Sequence, residues 1–367
     1  ALIVSASNPL RSWPDTLAYE KALADLELSV CIDVAYTETA RHCDYILPSV
    51  SYLESYDTTC FSYSYPELYF QMRQPVLEPI SPEAKEGSAI MLELIKALGF
   101  MPELPVSLYQ AGEKGITFYL KSLNGYLMEN PQYSRLAPLI LGETLGKALG
   151  SVNQALITGL LANGSKALKA GAVAMGYPAD ITMVEKMFKD ILGHPEGLII
   201  SKFPRDNFQM LKTPDKKLAL VIEELLEPLK EATIEREKEA LKMPEEFPLI
   251  LHAGLHIDTV ANTMIRNPHW DKEKTWEKMW VNEADAARLD LIDGEKALIK
   301  TKTSSAKVLV EISNLAAPGC VYIRHGGGLI YEGKKYGVNV NELVSSTERD
   351  ELGTPLHRRI PCRVEKL

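Results

Sequence analysis

Apolar and polar positions follow one another along this chain in two rhythms, and the change of rhythm divides it. Residues 1–7 form an apolar run ending in small residues, which Asn8-Pro9 interrupts. From Pro14-Asp15 onward the apolar positions Leu17, Tyr19, Ala22, Leu23 and Leu26 recur near the helical period, so a helix is predicted there. Residues 28–33 make a second apolar run, 37–43 a short helical turn, and 45–47 a third run stopped by Pro48. Strand, helix, strand, short helix, strand in so few residues predicts part of a doubly wound, Rossmann-like parallel sheet. From Phe247 the pattern turns to short strands punctuated by Gly, Asn and Pro, as in a small β-barrel. Between these stretches, residues 100–245 carry Ala, Gly and Leu at helical spacing, which predicts close-packed helices.

The expected organisation is therefore three segments: 1–99 Rossmann-like, 100–245 a mostly helical insertion and linker, and 246–367 the barrel. A length of 367 residues, 46% of them hydrophobic, suffices for cores of this number. Residues 230–246 are densely charged and read as a solvated linker. Lys147, Asn153, Asn163, Lys166 and Lys169 interrupt the apolar middle, so no membrane-spanning run is expected there.

A formal net charge of −9 argues against nucleic acid or an anionic membrane as the main partner. The five cysteines (Cys31, Cys43, Cys60, Cys320, Cys362) show no CxxC spacing, so neither a zinc or iron–sulfur site nor a disulfide framework is expected in this chain. His252, His256 and His325 are not spaced as a metal triad, and no metal site is assigned. The chain begins inside an apolar run without Met or a leader pattern. It is read as truncated at its N-terminus, which leaves localisation open with a lean toward the cytoplasm.

Loops after parallel strands carry ligands in such sheets, and here they hold residues 5–12, 33–37 and Ser49. Ser7, Asn8 and Ser12 bring hydroxyl and amide groups to a helix start, a setting that suits a phosphate. Asp33 closes the second strand, where a carboxylate accepts bonds from a ribose or from guanine nitrogens. Neither GxGxxG nor GxxxxGK[ST] occurs, so an ordinary dinucleotide site and a P-loop are not indicated. Asn8 and Asp33 equally suit a helix cap and a turn, and spacing does not choose between these roles.

NPLRSWPD followed by VCIDVAYTETARHCDYILPSVSYLE resembles the second nucleotide-binding segment of the molybdopterin oxidoreductases, the dimethyl sulfoxide reductase and formate dehydrogenase group. Asn8-Pro9, Asp33, Thr37-Glu38-Thr39-Ala40, Asp44, Leu47-Pro48 and Glu54 carry that likeness. Further on, Asp285-Ala286-Ala287-Arg288-Leu289 and Asp293-Gly294 are similar to the dinucleotide-binding barrel of the same family. Departures are Gly87-Ser88 where relatives have Asp-Trp, Lys216 in place of a Gly in a Thr-Pro-Asp strand motif, and Leu255 in place of an Arg.

The resemblance implies a six-stranded, double-psi type barrel and a molybdopterin guanine dinucleotide, in its bis form with molybdenum or tungsten. Contacts would come from Ala6, Ser7, Asn8, Ser12, Ile32, Asp33, Thr37 and Ser49. On the barrel they would come from His252, Ala253, Gly254, Leu255, His256 and Asn262, then His325 and Gly326, then Asn339, Asn341 and Arg358. Physically, Gly254 and the glycines 326–328 let backbone N–H groups approach a pyrophosphate. Asn262, Asn339 and Asn341 offer paired donors and acceptors, and His325 and Arg358 a donor and a charge. Asn in such a loop is also an ordinary left-handed turn residue.

This chain is expected to be the C-terminal part of an oxidoreductase, inactive alone, with no catalytic residue of its own. The N-terminal half would supply the iron–sulfur cluster and metal ligand, and electron-transfer subunits would be further partners. A non-redox hydratase or hydroxyl transferase of the same family, or a non-catalytic nucleotide-binding module, are the alternatives.

Overall fold

The computed structural model of the protein describes every residue except 60–65, 204–210, 241, 255–264, 274, 351 and 357. By contact the chain forms two compact units, Ala1–Ile46 with Glu223–Leu367, and Leu47–Ile222. The first therefore unites the two ends of the sequence. Among the described residues no helix is long and apolar enough to cross a membrane.

In the first unit, Leu2–Ser5 and Ser29–Asp33 pair in parallel, from Leu2 opposite Ser29 to Ser5 opposite Ile32. Tyr45–Pro48 follows as the third strand of this sheet. Val4, Cys31 and Ile32 bury the centre of the pair. Parallel pairing needs a crossover, and the helices Pro9–Ser12 and Thr16–Ala24 supply it. Asp15 caps the second of these, accepting from Ala18 N at 3.3 Å. The helix Pro9–Ser12 interrupts what the sequence pattern leaves as loop; four residues are too few for a periodic signal.

The barrel is closed and contains six strands, in the order Lys296–Thr301, Ser305–Ile312, Lys278–Val281, Cys320–Arg324, Leu249–Gly254 and Ile360–Lys366. Two neighbouring pairs run parallel, Ser305–Ile312 with Lys278–Val281 and Cys320–Arg324 with Leu249–Gly254, and the rest antiparallel. Strict alternation fills it: Leu249, Leu251 and Ala253 point inward, as do Ala297 and Ile299, Val308 and Val310, Val321 and Ile323. A period of two is what a closed barrel demands, with one face in the core and one outside. The helix Glu283–Arg288 sits beside it. Its buried Asp285 accepts from Gly319 N at 2.6 Å and from Arg288 at 2.8 Å.

The second unit is a helical body. Ile116–Glu129, Ala137–Leu149, Val152–Ala162 and Met183–Gly193 pack around Tyr119, Ile140, Leu145, Ala155, Met187 and Ile191, all fully buried. Small residues set the spacing, since a Cβ on Gly142 would stand 3.0 Å from Val152 Cγ1. The strand Leu198–Lys202 pairs antiparallel with Glu67–Phe70, joining residues far apart in sequence. Residues 213–222 do not form the strand that their motif suggests. A turn is followed by the helix Glu223–Lys230, and Leu218, Leu220, Val221 and Ile222 are exposed instead of packed.

Candidate functional site

The first loop begins at the end of the strand Leu2–Ser5. Ala6 has φ 48°, a left-handed backbone unusual for a residue with a Cβ, and its N–H continues the ladder to Ile32 O at 2.9 Å. Strain of this kind collects at ligand loops. Ala6 is exposed and Ser7 half-buried, and both stand beside the end of the second strand at Asp33. Ser12 donates from Oγ to Asn8 O at 2.8 Å, closing the short helix.

Asn8 does not cap that helix with its side chain. Its Oδ1 accepts from Thr39 N at 3.1 Å and Thr39 Oγ1 at 2.9 Å, and its Nδ2 donates to Glu38 Oε2 at 2.7 Å. Glu38 is the hub of a buried cluster. It also accepts from Arg266 Nη1 at 2.8 Å and from Ile330 N at 2.8 Å, and Arg11 Nη1 lies 4.0 Å away. Burial alone drives the Glu38 carboxyl upward, but Arg266, the Ile330 N–H and Arg11 outweigh it and hold it below its ordinary value.

Arg11 is 2% exposed. Its guanidinium donates from Nε to Gly327 O at 3.2 Å and from Nη2 to Gly326 O, and lies over the Trp276 ring at 5.6 Å. Burial lowers its pKa to about 10, against the pull of Glu38. Two guanidinium groups, Arg11 and Arg266, thus share one carboxylate, leaving a positive excess at the joint between the first loop and the barrel.

Asp33 is half-buried, and its Oδ1 accepts from Ala35 N at 3.1 Å in a local turn. Desolvation raises its pKa, against the bonds from Ala35 and Val34. Ile32 is in the sheet core, and Thr37 uses Oγ1 to accept from Ala40 N at 3.1 Å. Ser49 belongs to the helical unit, where it bridges to Lys85.

On the barrel side, Ala253 is in the core and Gly254 O accepts from the buried His325 N at 2.8 Å. His252 stacks on Tyr322 with ring centroids 5.1 Å apart; burial, then Arg358, lowers its pKa. Arg358 is exposed, and Gly326 has φ 103°. Asn339 and Asn341 are buried and committed to the first loop. Asn339 Nδ2 donates to Leu10 O and Thr16 Oγ1, both at 3.0 Å, and Asn341 Nδ2 donates to Arg11 O at 2.8 Å. The amide groups expected to face a ligand instead join this loop to the barrel. Leu255, His256 and Asn262 lie outside the described residues.

The structure therefore brings Ala6, Ser7, Asn8, Ser12, Ile32, Asp33 and Thr37 together on one side, and His325, Gly326, Asn339 and Asn341 beside residues 8–16 on the other. Arg11, Glu38 and Arg266 complete this arrangement together with Gly327, and the sequence pattern gives none of these three charged residues a contact role. Their contacts span 228 to 316 residues, and no local periodicity encodes such pairings. Glu38 stands out only as a charge between two threonines in a stretch that folds inward.

A parallel strand pair joined to a closed mixed barrel makes this an α/β protein, with a strained loop and a carboxylate at the strand ends where such sheets take their ligands. Comparison gives the family. Residues 1–97 match the profile of Molybdopterin oxidoreductase, and 249–359 match that of the Molydopterin dinucleotide binding domain. The chain belongs to the molybdopterin oxidoreductase family and carries its dinucleotide-binding domain.

The Probable oxidoreductase YyaE of Bacillus subtilis (strain 168) is 35% identical over 116 residues, covering 32% of this chain and 17% of that protein. The Assimilatory nitrate reductase catalytic subunit of the same organism is 37% identical over 98 residues, covering 27% of this chain and 13% of that protein. Acetylene Hydratase from Pelobacter acetylenicus has the same fold over 100% of this chain and 44% of its own, with a TM-score of 0.61 and 20% identity. The chain thus spans less than half of that structure, and the curated matches cover still smaller shares of their proteins.

Proposed function

We propose that this chain is the C-terminal part of a molybdenum or tungsten oxidoreductase, where it binds and orients a bis-molybdopterin guanine dinucleotide. The observation that carries the reading is the union of residues 1–46 of the first family-matched segment with the whole of the second in one compact unit, around the Arg11–Glu38–Arg266 cluster. That fusion sets the ends of the parallel strands, with Ala6, Ser7 and Asp33, on the same body as the barrel loop of residues 325–328.

The donor set fits such a group. Asp33 is a partly desolvated carboxylate at a strand end, and ribose hydroxyls or guanine N–H groups would supply bonds to its charged form. The positive excess of Arg11 and Arg266 over Glu38 suits a pyrophosphate, and the exposed Arg358 adds a further positive charge. Ser7 and Ser12 stand at the same loop. Asn8, Asn339 and Asn341 serve through the loop they hold. When bound, the cofactor supplies the redox chemistry at its metal. This chain binds the nucleotide end, fixes the loop geometry and keeps the joint dry. The metal ligand and any iron–sulfur cluster belong to an N-terminal part, with electron-transfer subunits as further partners, so this chain alone does not turn over.

Asp33→Asn tests the reading. The amide keeps the acceptor for Ala35 N and removes the charge that burial disfavours, so folding stability at neutral pH holds or rises. Losing a charge-assisted partner costs about 1.5–3 kcal/mol of binding, roughly a tenfold to hundredfold loss of affinity for guanosine diphosphate. Titration calorimetry beside thermal unfolding measures both, and unchanged affinity refutes the role of Asp33.

A further inference from the structure

A buried backbone N–H without a partner needs an explanation, and Gly327 has one. Gly327 is buried, and its N–H makes no hydrogen bond to any described residue. Its position is tightly enforced, because a Cβ there would lie 2.1 Å from Val338 O. The carbonyl of the same peptide unit, Gly326 O, is held by Arg11 Nη2, and the next carbonyl, Gly327 O, by Arg11 Nε at 3.2 Å.

A trans peptide is planar, with C=O and N–H pointing in opposite directions. Fixing Gly326 O on Arg11 therefore aims the Gly327 N–H away from it. The neighbouring unit behaves in the same way: with Gly327 O on Arg11, the Gly328 N–H reaches Tyr336 O on the far side at 2.8 Å. Only the Gly327 N–H is left over from this pair. Arg11 is itself oriented, since Glu38 lies 4.0 Å from its Nη1 and Trp276 lies beneath the guanidinium plane.

We propose that Arg11 is a positioning residue, whose fork turns the Gly326–Gly327 peptide so that the Gly327 N–H donates to a diphosphate oxygen of the bound dinucleotide. The inference rests on the dinucleotide reading above and assigns Gly327, with Arg11 behind it, as the donor that receives the phosphates. A planar fork is required. Lysine keeps the charge but presents one point, and does not hold two successive carbonyls in fixed directions.

Guanosine diphosphate and inorganic pyrophosphate are the probes, on the full chain labelled with ¹⁵N-glycine. In the unmodified protein the Gly327 amide resonance moves on titration with either probe. Arg11→Lys weakens guanosine diphosphate binding about tenfold despite the retained charge, and the Gly327 shift is lost. Arg11→Gln also loses the Gly327 shift and binds more weakly still, because the positive excess over Glu38 goes with the charge. If guanosine diphosphate binds the unmodified protein and the Gly327 amide stays still, this inference falls while the dinucleotide reading stands. Full binding by Arg11→Lys also overturns it. If the unmodified protein binds neither probe, the dinucleotide reading falls and takes this inference with it.

Discussion

Glu38→Gln is the most telling perturbation of the joint between sheet and barrel. The carboxylate receives Asn8 Nδ2 and Arg266 Nη1 on Oε2 and the Ile330 N–H on Oε1. An amide offers one oxygen. Placed at Oε2, it leaves the Ile330 N–H without an acceptor; placed at Oε1, it sets an NH₂ against Asn8 and Arg266. Each buried donor so stranded costs about 1–3 kcal/mol. Arg11 and Arg266 also lose the Glu38 carboxylate that they share, and breaking a buried pair from one side costs about 3–5 kcal/mol. These contributions overlap, so we take about 3–5 kcal/mol as the total. For a unit of this size each kcal/mol moves Tm by about 2–4 °C, so the fall is on the order of 10 °C.

The pH dependence has a definite sign. The folded pKa of Glu38 lies below its ordinary value of 4.5, so its stabilisation is complete above that pH and fades as pH falls through the depressed value. The Tm gap between the two proteins should be constant near neutrality and close in acid, where glutamic acid and glutamine become alike. Differential scanning calorimetry across that range measures it. A gap under about 2 °C at neutral pH, or one that persists unchanged in acid, would refute the clamp.

Three further outcomes follow. Asp285→Ala strands the Gly319 N–H and the Arg288 guanidinium, and should lower barrel stability by about 1–3 kcal/mol in urea unfolding, with no loss meaning that water replaces the carboxylate. Leu145→Ala in the fully buried helical core should cost about 2–5 kcal/mol, read as earlier protease cleavage within Leu47–Ile222; unchanged cleavage there counts against independent compact units. Limited proteolysis of the unmodified chain should cut first between 230 and 246, where the described residues are nearly all exposed, and prior cutting inside Ala1–Ile46 would contradict that.

The sequence alone determined whatever depends on near neighbours. Alternation of Leu249, Leu251 and Ala253, and of Val308 and Val310, is the period of a strand with one buried face, and both strands lie in the stretch from Phe247 that the pattern assigns to short strands. The apolar runs of residues 1–7 and 28–33 likewise hold adjacent parallel strands, and the ordered residues from Asn8 to Glu54 placed the chain in its family. Tertiary structure decided which polar groups meet. Asn8, Asn339 and Asn341 have the donors and acceptors of a ligand site, but their Nδ2 groups donate to Glu38, Leu10, Thr16 and Arg11, and Asn8 Oδ1 accepts from Thr39. Arg11 meets Gly326 across 315 residues, a pairing that only the folded barrel creates. Its closure cost is recovered by burial of the whole joint, a property of the assembled core that no window of sequence contains.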